Sequence, residues 1–96
     1  MQKCSYVYII TNKKNTVVYT GVTSDLKKRI YEHKNKMIDG FSKRYNLTKL
    51  VYFGEFTTIE QAIIYEKKIK KMSRKRKNEL INEMNPGWED LYEGIL

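Results

Sequence analysis

The segment that most constrains the fold is Ser5–Thr11, with the sequence SYVYIIT. Its residues are mostly β-branched or aromatic, and both of the faces that alternate along a strand are apolar. A strand with two apolar faces is typical of the buried centre of a sheet, because a face in contact with water carries polar residues. We therefore predict that this segment is a central strand.

A hairpin is predicted directly after this strand. Residues 12–15 form a polar turn, because Asn tolerates left-handed backbone conformations and hydrogen-bonds to its own backbone. Residues 16–20 then form the return strand, which Gly21 ends. A two-residue loop and a four-residue loop both place Tyr8 directly opposite Tyr19, on the same face of the hairpin.

The next segment has the pattern of an amphipathic helix. Thr23 or Ser24 can cap its first turn, which contains Asp25. Arg29 lies four residues before the only histidine of the chain, so it falls at the edge of the apolar stripe. The residues at helical spacing that we expect to face the core are Leu26, Ile30, His33 and Met37.

The rest of the chain is predicted to contain one more strand, two more helices and a tail. The segments are a polar loop at 39–46, a strand at 49–56, a helix at about 58–72 and a very basic helix at about 74–84. Residues 85–87, Asn-Pro-Gly, end the last helix, and Trp88 and Leu91 are expected to pack the tail on the core. We predict one domain over residues 1–96 with an α+β fold: a small three-stranded antiparallel sheet flanked by about three helices.

The chain carries an excess of positive charge, with 19 Lys and Arg against 11 Asp and Glu. A net charge of +8 on a small domain attracts polyanions, although a basic surface can also serve solubility alone. Residues 67–77 contain eight Lys or Arg in eleven positions, which is typical of a solvated helix face and also of a nucleic-acid contact. The residues predicted to contact nucleic acid are Lys67, Lys68, Lys70, Lys71, Arg74, Lys75, Arg76 and Lys77.

The sequence argues against several other classes of protein. Its apolar runs are far too short to span a membrane, and its first residues lack the long apolar region of a signal peptide. Cys4 is the only cysteine, which excludes an internal disulfide and a cysteine zinc cluster. We therefore expect a cytoplasmic protein without membrane contact.

One acidic residue has an unusual position. Glu66 lies four residues after Ala62 and three before Ile69, in the middle of the apolar stripe of the second predicted helix. A carboxylate there has to be paired, protonated or bound to a metal, because burying it unsatisfied is costly. A salt bridge to Lys70 or Arg29 and a metal or catalytic role are both open for Glu66.

Several of these residues together have the chemistry of a phosphodiesterase. A single carboxylate such as Glu66 can hold one Mg²⁺ or Mn²⁺ whose other ligands are waters. An Arg side chain suits the oxygens of a phosphate, and a Tyr or His can orient or deprotonate the attacking water. Spacing alone only suggests such a site, since tyrosines in strands are most often packing residues.

The motifs YVY at residues 6–8, YTG at 19–21 and then DLKKRIYEH resemble the GIY-YIG nuclease family. AIIYEKKIK around Glu66 and NPGWEDL near the end extend the resemblance over almost the whole chain. The resemblance is strongest to the small single-domain branch of excision-repair-nuclease-like, uncharacterised proteins. The incision subunit of bacterial nucleotide-excision repair is a more distant relative. The resemblance therefore implies a DNA endonuclease, with DNA repair as one setting.

The resemblance implies roles for four residues of the hairpin and the first helix. Tyr8 and Tyr19 match two tyrosines that line the active site, where one acts as general base or orients the attacking water. Arg29 matches the arginine that contacts the scissile phosphate. His33 matches a histidine that assists proton transfer in many members.

The resemblance also assigns two residues of the second half of the chain. Glu66 matches the single metal-binding glutamate, which implies Mg²⁺ or Mn²⁺ as cofactor. Asn85, with Asn82 as the alternative, matches an asparagine near the end of the family's domain. Tyr6 and Thr20 depart from the motifs, which have Gly and Ile there, but neither departure removes a predicted catalytic group.

Two hypotheses for the function follow. The first is a metal-dependent endonuclease that hydrolyses DNA phosphodiester bonds and is directed by the structure of its substrate rather than by sequence. The second is a non-catalytic DNA- or RNA-binding module, or a nuclease domain that needs a protein partner for activity. In the second case the aromatic residues Tyr31, Phe41 and Tyr45 could stack on bases. A requirement for divalent metal distinguishes the two hypotheses.

Overall fold

The structure of the protein is a computed structural model that describes residues 4–96. The strands are β1 (Ser5–Thr11), β2 (Val18–Thr23) and β3 (Lys49–Phe56). The helices are α1 (Leu26–Lys34), α2 (Phe41–Arg44), α3 (Ile59–Lys70) and α4 (Arg74–Met84), followed by a 3₁₀ turn at Tyr92–Ile95. The strands form one antiparallel sheet in the order β2-β1-β3. The predicted fold class and the central place of β1 are therefore confirmed.

Both faces of the sheet are covered, which explains why β1 is apolar on both sides. Val7 and Ile9 pack on one face with buried residues of α3 and α4. Tyr8 and Ile10 pack on the other face with buried residues of α1. Each fully buried aliphatic side chain of this kind contributes about 1.5–3 kcal/mol to folding. The sheet thus separates an α3/α4 side from an α1 side.

The pairing of β1 with β2 differs from the prediction. Tyr8 lies opposite Gly21 and Tyr19 lies opposite Ile10, so the expectation that the two tyrosines are direct partners is wrong. They still share the α1 side of the sheet, because a shift of two residues preserves the face. Strand β2 also continues through Gly21 to Thr23.

The side chain of Asn12 explains this register. Its Oδ1 accepts hydrogen bonds from the backbone N–H groups of Thr16, at 2.8 Å, and Val17, at 3.2 Å. Asn15 adopts a left-handed φ of 58°. These contacts organise residues 12–17 as one loop between the strands, longer than the two or four residues predicted. The longer loop moves the partner of Tyr8 by two positions.

Gly21 leaves room for the ring of Tyr8 in the middle of the hairpin. A Cβ atom at position 21 would come within 2.4 Å of the phenol ring and of its hydroxyl. Any side chain there would displace Tyr8, because a close-packed interior has no space to absorb it. The glycine of the YTG motif therefore has a packing role inside a strand instead of a role at its end.

Helix α1 is shorter than its apolar pattern. Asp25 caps the helix, one or two residues later than predicted, and the helix ends at Lys34. Met37 lies beyond this end and is 63% exposed, so the prediction that it faces the core is wrong. The other three predicted core positions are buried: Leu26, Ile30 and His33.

The second half of the chain follows the prediction more closely. β3 and α4 have the predicted bounds, and α3 lies within the predicted segment, whereas the predicted polar loop contains the short helix α2. Trp88 and Leu91 of the tail pack against the two sides of the core, as expected. None of the helices in residues 4–96 has the length and apolar character needed to cross a membrane.

Candidate active site

Tyr8 and His33 meet between the central strand and the last turn of α1. The hydroxyl oxygen of Tyr8 lies 2.9 Å from Nε2 of His33, and the two side chains are almost fully buried. Tyr19, on the edge strand β2, is partly buried, and its ring centroid lies 6.3 Å from that of His33. Three of the predicted catalytic residues are thus brought together on the α1 side of the sheet.

Burial keeps the phenol and the imidazole neutral. The pKa of Tyr8 is raised far above its ordinary value of 10.0, first by burial and then by the neighbouring Tyr19. The pKa of His33 is lowered from its ordinary value of 6.5, first by burial and then by the positive charge of Arg29. At neutral pH the pair is therefore a phenol beside a neutral imidazole, which has one nitrogen able to accept a proton.

The second ring nitrogen of His33 contacts a residue that the sequence did not indicate. Nδ1 lies 2.9 Å from the hydroxyl oxygen of Ser42, and both side chains are buried. Ser42 is on α2, within the segment that was predicted as a polar loop. Its spacing from His33 has no helical or strand period, so only the folded chain reveals the contact.

Arg29 lies at the solvent-facing edge of the site, as the apolar stripe of α1 predicts. Its side chain is 41% exposed, and Nε lies 3.8 Å from Oε1 of Glu32. It lines a cleft of about 180 Å³ together with Thr23 and Lys28. The charge of Arg29 acts on both Tyr8 and His33. Arg29 therefore combines access from solvent with closeness to the buried pair.

Glu66 lies on α3, which packs on the side of the sheet opposite to the two tyrosines. Its side chain is 13% exposed, and Oε2 lies 3.2 Å from Nζ of Lys70. Nζ of Lys70 lies 5.8 Å from the ring centroid of Tyr19. The charge of Glu66 is one of the causes that raise the pKa of Tyr8. The salt bridge to Lys70 is thus observed, and Glu66 also belongs to the surroundings of Tyr8.

The donor set around Glu66 fits a cation that keeps most of its waters. Within residues 4–96, no group of three or more His, Cys, Asp and Glu side chains gathers at one point. A closed, all-protein metal cage is therefore absent from that range. A carboxylate is the ligand that Mg²⁺ and Mn²⁺ prefer, and Mg²⁺ commonly binds through one or two carboxylates with waters in the other positions.

Asn85 is buried, but its hydrogen bonds are to the backbone of β3 and of the tail and not to Tyr8 or His33. Nδ2 donates to the backbone carbonyls of Val51, at 3.2 Å, and Glu89, at 2.7 Å. Oδ1 accepts from the backbone N–H of Glu89 at 3.1 Å. Val51 lies at the irregularity in the β1–β3 pairing, where its carbonyl needs a partner. Asn85 therefore holds the tail to β3 and is not one of the residues gathered around Tyr8.

Its predicted alternative, Asn82, also contacts the tail. The side-chain oxygen of Asn82 accepts a hydrogen bond from Nε1 of Trp88 at 2.6 Å. Because both asparagines have partners in the segment after α4, the described contacts place neither of them beside the Tyr8–His33 pair. We leave the family's asparagine out of the proposed catalytic set.

The basic run of residues 67–77 is divided between structural contacts and exposed charge. Arg74 donates to the backbone carbonyls of Asn15 and Thr16, at 2.8 and 2.9 Å, and so ties α4 to the β1–β2 loop. Arg76 pairs with Glu79 at 3.1 Å. The guanidinium of Arg74 is thus engaged by the backbone, and its contact with nucleic acid stays a prediction. The exposed lysines of the run are Lys67, Lys68, Lys70, Lys71 and Lys75, and Lys77 is partly buried.

An exposed row of aromatic rings leads away from the site. The ring of Phe41 stacks on Tyr19 with centroids 6.1 Å apart, and the ring of Tyr45 lies 4.7 Å from Phe41. Phe41 is 47% exposed and Tyr45 is 42% exposed. The guanidinium of Arg44 lies 5.9 Å from the ring centroid of Tyr45. We call Tyr19, Phe41 and Tyr45 the aromatic row.

The larger of the two clefts described here is not where the predicted catalytic residues meet. The larger cleft, of about 420 Å³, is lined by Tyr6, Asp25, Phe53, Glu55 and other residues, and none of the predicted catalytic residues is among them. The gathering of Tyr8, Tyr19 and His33 lies elsewhere. Titratable groups that perturb one another are a better guide to chemistry here than volume.

Comparison with known proteins identifies the family of the chain. The family model described as the GIY-YIG catalytic domain matches residues 4–80. A UPF0213 protein of Staphylococcus saprophyticus is 37% identical over 78 residues, which cover 81% of this chain and 94% of that protein. A UPF0213 protein of Clostridium perfringens is 38% identical over 78 residues, which cover 81% of this chain and 83% of that protein.

A solved structure supports the same relationship. The solution NMR structure of a UPF0213 protein from Bacillus halodurans has a TM-score of 0.59 and 28% identity, and the match covers 94% of this chain and 95% of that one. The stretch matched by the family model contains all the predicted catalytic residues except Asn85. The chain therefore belongs to the GIY-YIG family and, within it, to the UPF0213 group of small single-domain proteins.

Proposed function

We propose that the protein is a metal-dependent endonuclease that hydrolyses DNA phosphodiester bonds, directed by the structure of the substrate rather than by its sequence. The observation that carries the proposal is the 2.9 Å contact between the Tyr8 hydroxyl and Nε2 of His33, in a chain of a nuclease family. Packing alone does not call for this pair, because two apolar side chains would fill the space without polar groups to satisfy.

The Tyr8–His33 pair supplies the base. Burial makes Tyr8 a poor base by itself, since a phenol with a raised pKa is protonated at neutral pH. In the proposed step the phenolic proton passes to Nε2 of His33, and the phenol oxygen takes a proton from the attacking water. The water oxygen then bonds to phosphorus, and the bond from phosphorus to the leaving oxygen breaks. The leaving oxygen takes a proton from solvent, and His33 releases to solvent the proton that it gained. General acid–base catalysis of this kind contributes roughly 10²–10⁴-fold to rate.

Arg29 stabilises the charge on phosphate. Its guanidinium is exposed enough to meet a phosphate and close enough to the pair to affect both of its pKa values. A guanidinium presents a planar fork of N–H groups that matches two phosphate oxygens. It would bind the phosphate more tightly as negative charge accumulates in the transition state.

Glu66 is the residue that would hold the metal ion. Its carboxylate suits Mg²⁺ or Mn²⁺, and Lys70, which now pairs with it, lies on the exposed side of α3 and can turn to the DNA backbone. A bound divalent ion would supply positive charge that stabilises the transition state and the leaving oxygen. Tyr19, between Lys70 and His33, would shape the wall of the site nearest the substrate.

The exposed lysines near the end of α3 would hold the DNA. Lys67 and Lys68 are exposed on the same helix as Glu66, and the exposed Lys71 follows directly after its end. Contacts from lysine to phosphate position a nucleic acid without recognising its sequence. This supports a substrate recognised by its structure. The proposal places the protein in the cytoplasm, with its DNA substrate, and a role in DNA repair belongs to the same proposal.

A second candidate function is favoured by the aromatic row. Exposed rings beside basic side chains are typical of proteins that bind unpaired bases of DNA or RNA by stacking. The protein would then bind nucleic acid without cutting it, or cut it only with a protein partner. Cleavage by the isolated protein is the observation that separates this candidate from the first.

The test is a nicking assay on supercoiled plasmid, single-stranded DNA and branched DNA, with Mn²⁺ or with chelator. Glu66→Gln, which keeps the size of the side chain, is compared with Glu60→Gln, an exposed glutamate in the first turn of the same helix. We expect wild type and Glu60→Gln to cut only with metal, and Glu66→Gln to bind DNA without cutting.

Three results would count against the proposal. Cutting by Glu66→Gln at the wild-type rate would contradict the proposal that Glu66 binds the metal ion. Failure of every protein to cut, with DNA binding retained, would favour the second candidate function. Equal loss in Glu60→Gln and Glu66→Gln would point to a general effect of charge on α3 and would also reject a specific role for Glu66.

A further inference from the structure

The side chain of Ser42 completes a buried line of three polar groups. Nε2 of His33 faces the Tyr8 hydroxyl and Nδ1 faces the Ser42 hydroxyl, each at 2.9 Å. We propose that Ser42 is a positioning residue that accepts a hydrogen bond from the Nδ1–H of His33 and so keeps the lone pair of Nε2 directed at Tyr8. Its catalytic consequence rests on the proposed function, whereas the tautomer itself does not.

The chemistry of the two hydroxyls determines the direction of both bonds. A neutral imidazole has one N–H and one lone pair, so it donates to one of its partners and accepts from the other. A phenol is a stronger acid than an aliphatic alcohol and is therefore the better donor to the lone pair. With Tyr8 donating to Nε2, the proton of His33 is on Nδ1 and Ser42 accepts it. The bond at one ring nitrogen thus sets the tautomer at the other.

The fold holds Ser42 in a fixed place. The backbone carbonyl of Ser42 accepts the N–H of Leu47 at 2.9 Å, and Leu47 is fully buried in the core on the α1 side. Its neighbour Phe41 stacks on Tyr19. Gly40 precedes them with a φ of 114°, a conformation that other residues rarely adopt. Core anchoring on one side and ring stacking on the other leave the Ser42 hydroxyl little freedom.

The charged groups around the ring are compatible with a neutral His33. From α1, Arg29 disfavours the protonated ring and Glu32 favours it. From β2, Tyr19 faces the imidazole, and behind it lie Glu66 and Lys70 of α3, which neutralise each other in their ion pair. Arg29 and Glu32 are the charged groups that shift the pKa of His33, and the two direct hydrogen bonds to the ring nitrogens govern the tautomer.

The tautomer can be measured without any substrate. His33 is the only histidine of the chain, so ¹⁵N shifts of imidazole nitrogens are assigned without ambiguity. In wild type we expect protonated Nδ1 and unprotonated Nε2 at pH 7.5. In Ser42→Ala we expect the shifts of the two nitrogens to move toward each other or to exchange, because Nδ1–H has lost its acceptor. An Nε2–H tautomer in wild type, or an unchanged tautomer in Ser42→Ala, would overturn the proposal.

Cleavage kinetics provide the second readout. We expect kcat of Ser42→Ala to fall about tenfold or more, with KM unchanged, and the roughly 10²–10⁴-fold contribution of general acid–base catalysis sets the upper limit of the loss. Ser42→Thr keeps the hydroxyl and is expected to restore both the tautomer and kcat. Ser5→Ala, which also removes a buried serine hydroxyl but on β1, is the matched control and is expected to leave both unchanged.

The outcomes separate this inference from the proposed function. If wild type cuts no DNA, the endonuclease proposal fails, and the ¹⁵N shifts still decide the role of Ser42. If the protein cuts DNA and Ser42→Ala loses kcat while its tautomer stays as in wild type, the positioning role is rejected. Thermal unfolding of all variants shows which are folded, and an unfolded Ser42→Ala leaves the decision to the wild-type tautomer and to Ser42→Thr.

Discussion

Two clusters of buried polar side chains in this small domain differ in the kind of partner they use. Tyr8, His33 and Ser42 bond to one another through side chains on β1, α1 and α2. Asn85 bonds to the backbone of β3 and of the tail, with three hydrogen bonds of fixed direction. A backbone N–H can only donate and a carbonyl can only accept, whereas hydroxyl and imidazole groups can exchange these roles.

This difference separates a structural cluster from a chemical one. The hydrogen bonds of Asn85 are all to backbone groups, and they hold the tail in place. The Tyr8 cluster is proposed to pass a proton from Tyr8 to His33, and the pKa values of both residues are displaced by burial and by charged neighbours. Buried polarity by itself therefore does not indicate a catalytic site. Buried polar groups whose partners are titratable side chains are candidates for such a site, and the control below tests one of them.

The largest expected effect comes from removing the Tyr8 hydroxyl, which tests whether the Tyr8 cluster is chemical rather than structural. In Tyr8→Phe we expect cleavage to fall by roughly 10²–10⁴-fold with the fold intact, because only the proton path is lost. Tyr52→Phe is the matched control, since Tyr52 is another largely buried tyrosine whose hydroxyl bonds to that of Tyr65 at 3.1 Å. Single-turnover cleavage rates measure both variants, and equal losses would show that Tyr8 acts only through packing.

The corresponding change in the structural cluster is Asn85→Ala. We expect the free energy of unfolding to fall by about 2–3 kcal/mol, because the carbonyls of Val51 and Glu89 lose a buried donor. The folded fraction should cut at the wild-type rate. Urea unfolding measures the first effect and cleavage per folded molecule the second. A large fall in the cleavage rate of folded protein would return Asn85 to the catalytic set.

Removing a ring from the aromatic row has a smaller expected effect. In Phe41→Ala we expect the affinity for single-stranded DNA to fall about tenfold, since stacking of one base on one ring is worth about 1–3 kcal/mol. Duplex affinity should change less, because its bases are already stacked. Fluorescence anisotropy measures both, with Ile64→Ala as control for loss of an exposed apolar side chain on α3. Equal losses on both substrates would contradict stacking.

The smallest expected effect is on stability at low pH. The pKa of folded His33 is lowered from 6.5, so the unfolded chain binds a proton that the folded chain does not. Stability should therefore be complete above pH 6.5 and fall as the pH drops toward the folded pKa, by at most about 1.4 kcal/mol per pH unit. Thermal unfolding of wild type and His33→Gln between pH 8 and pH 5 tests this. The fall should be absent in His33→Gln.

Much of the fold was predictable from local patterns. The apolar run of Ser5–Thr11 predicts a central strand, and the bounds of β3 and α4 agree with the prediction. Four of the residues in the proposed site, Tyr8, Tyr19, His33 and Arg29, were also indicated by motif and spacing. These features depend on side chains close in the chain, whose period directly reflects burial.

Three features depended on contacts that no local pattern contains. Asn12 determines the hairpin register through side-chain bonds to the backbone of its own loop, which displaced Tyr19 from the position opposite Tyr8. Arg74, predicted to contact nucleic acid, bonds to a loop 58 and 59 residues away. Ser42 joins His33 through a short helix that appears in the sequence as a polar loop.

The sequence by itself therefore determined the strands and most of the helices, and it supplied the residues proposed for phosphodiester chemistry, because burial pattern and residue type can be read at each position. The tertiary structure alone decided which of those residues meet. It gave His33 its two hydroxyl partners, gave Asn85 and Arg74 backbone partners distant in the chain, and paired Glu66 with Lys70, whose Nζ lies 5.8 Å from the ring centroid of Tyr19. Whether two side chains meet depends on the distance and the direction of their contact, and both are defined only in the folded chain.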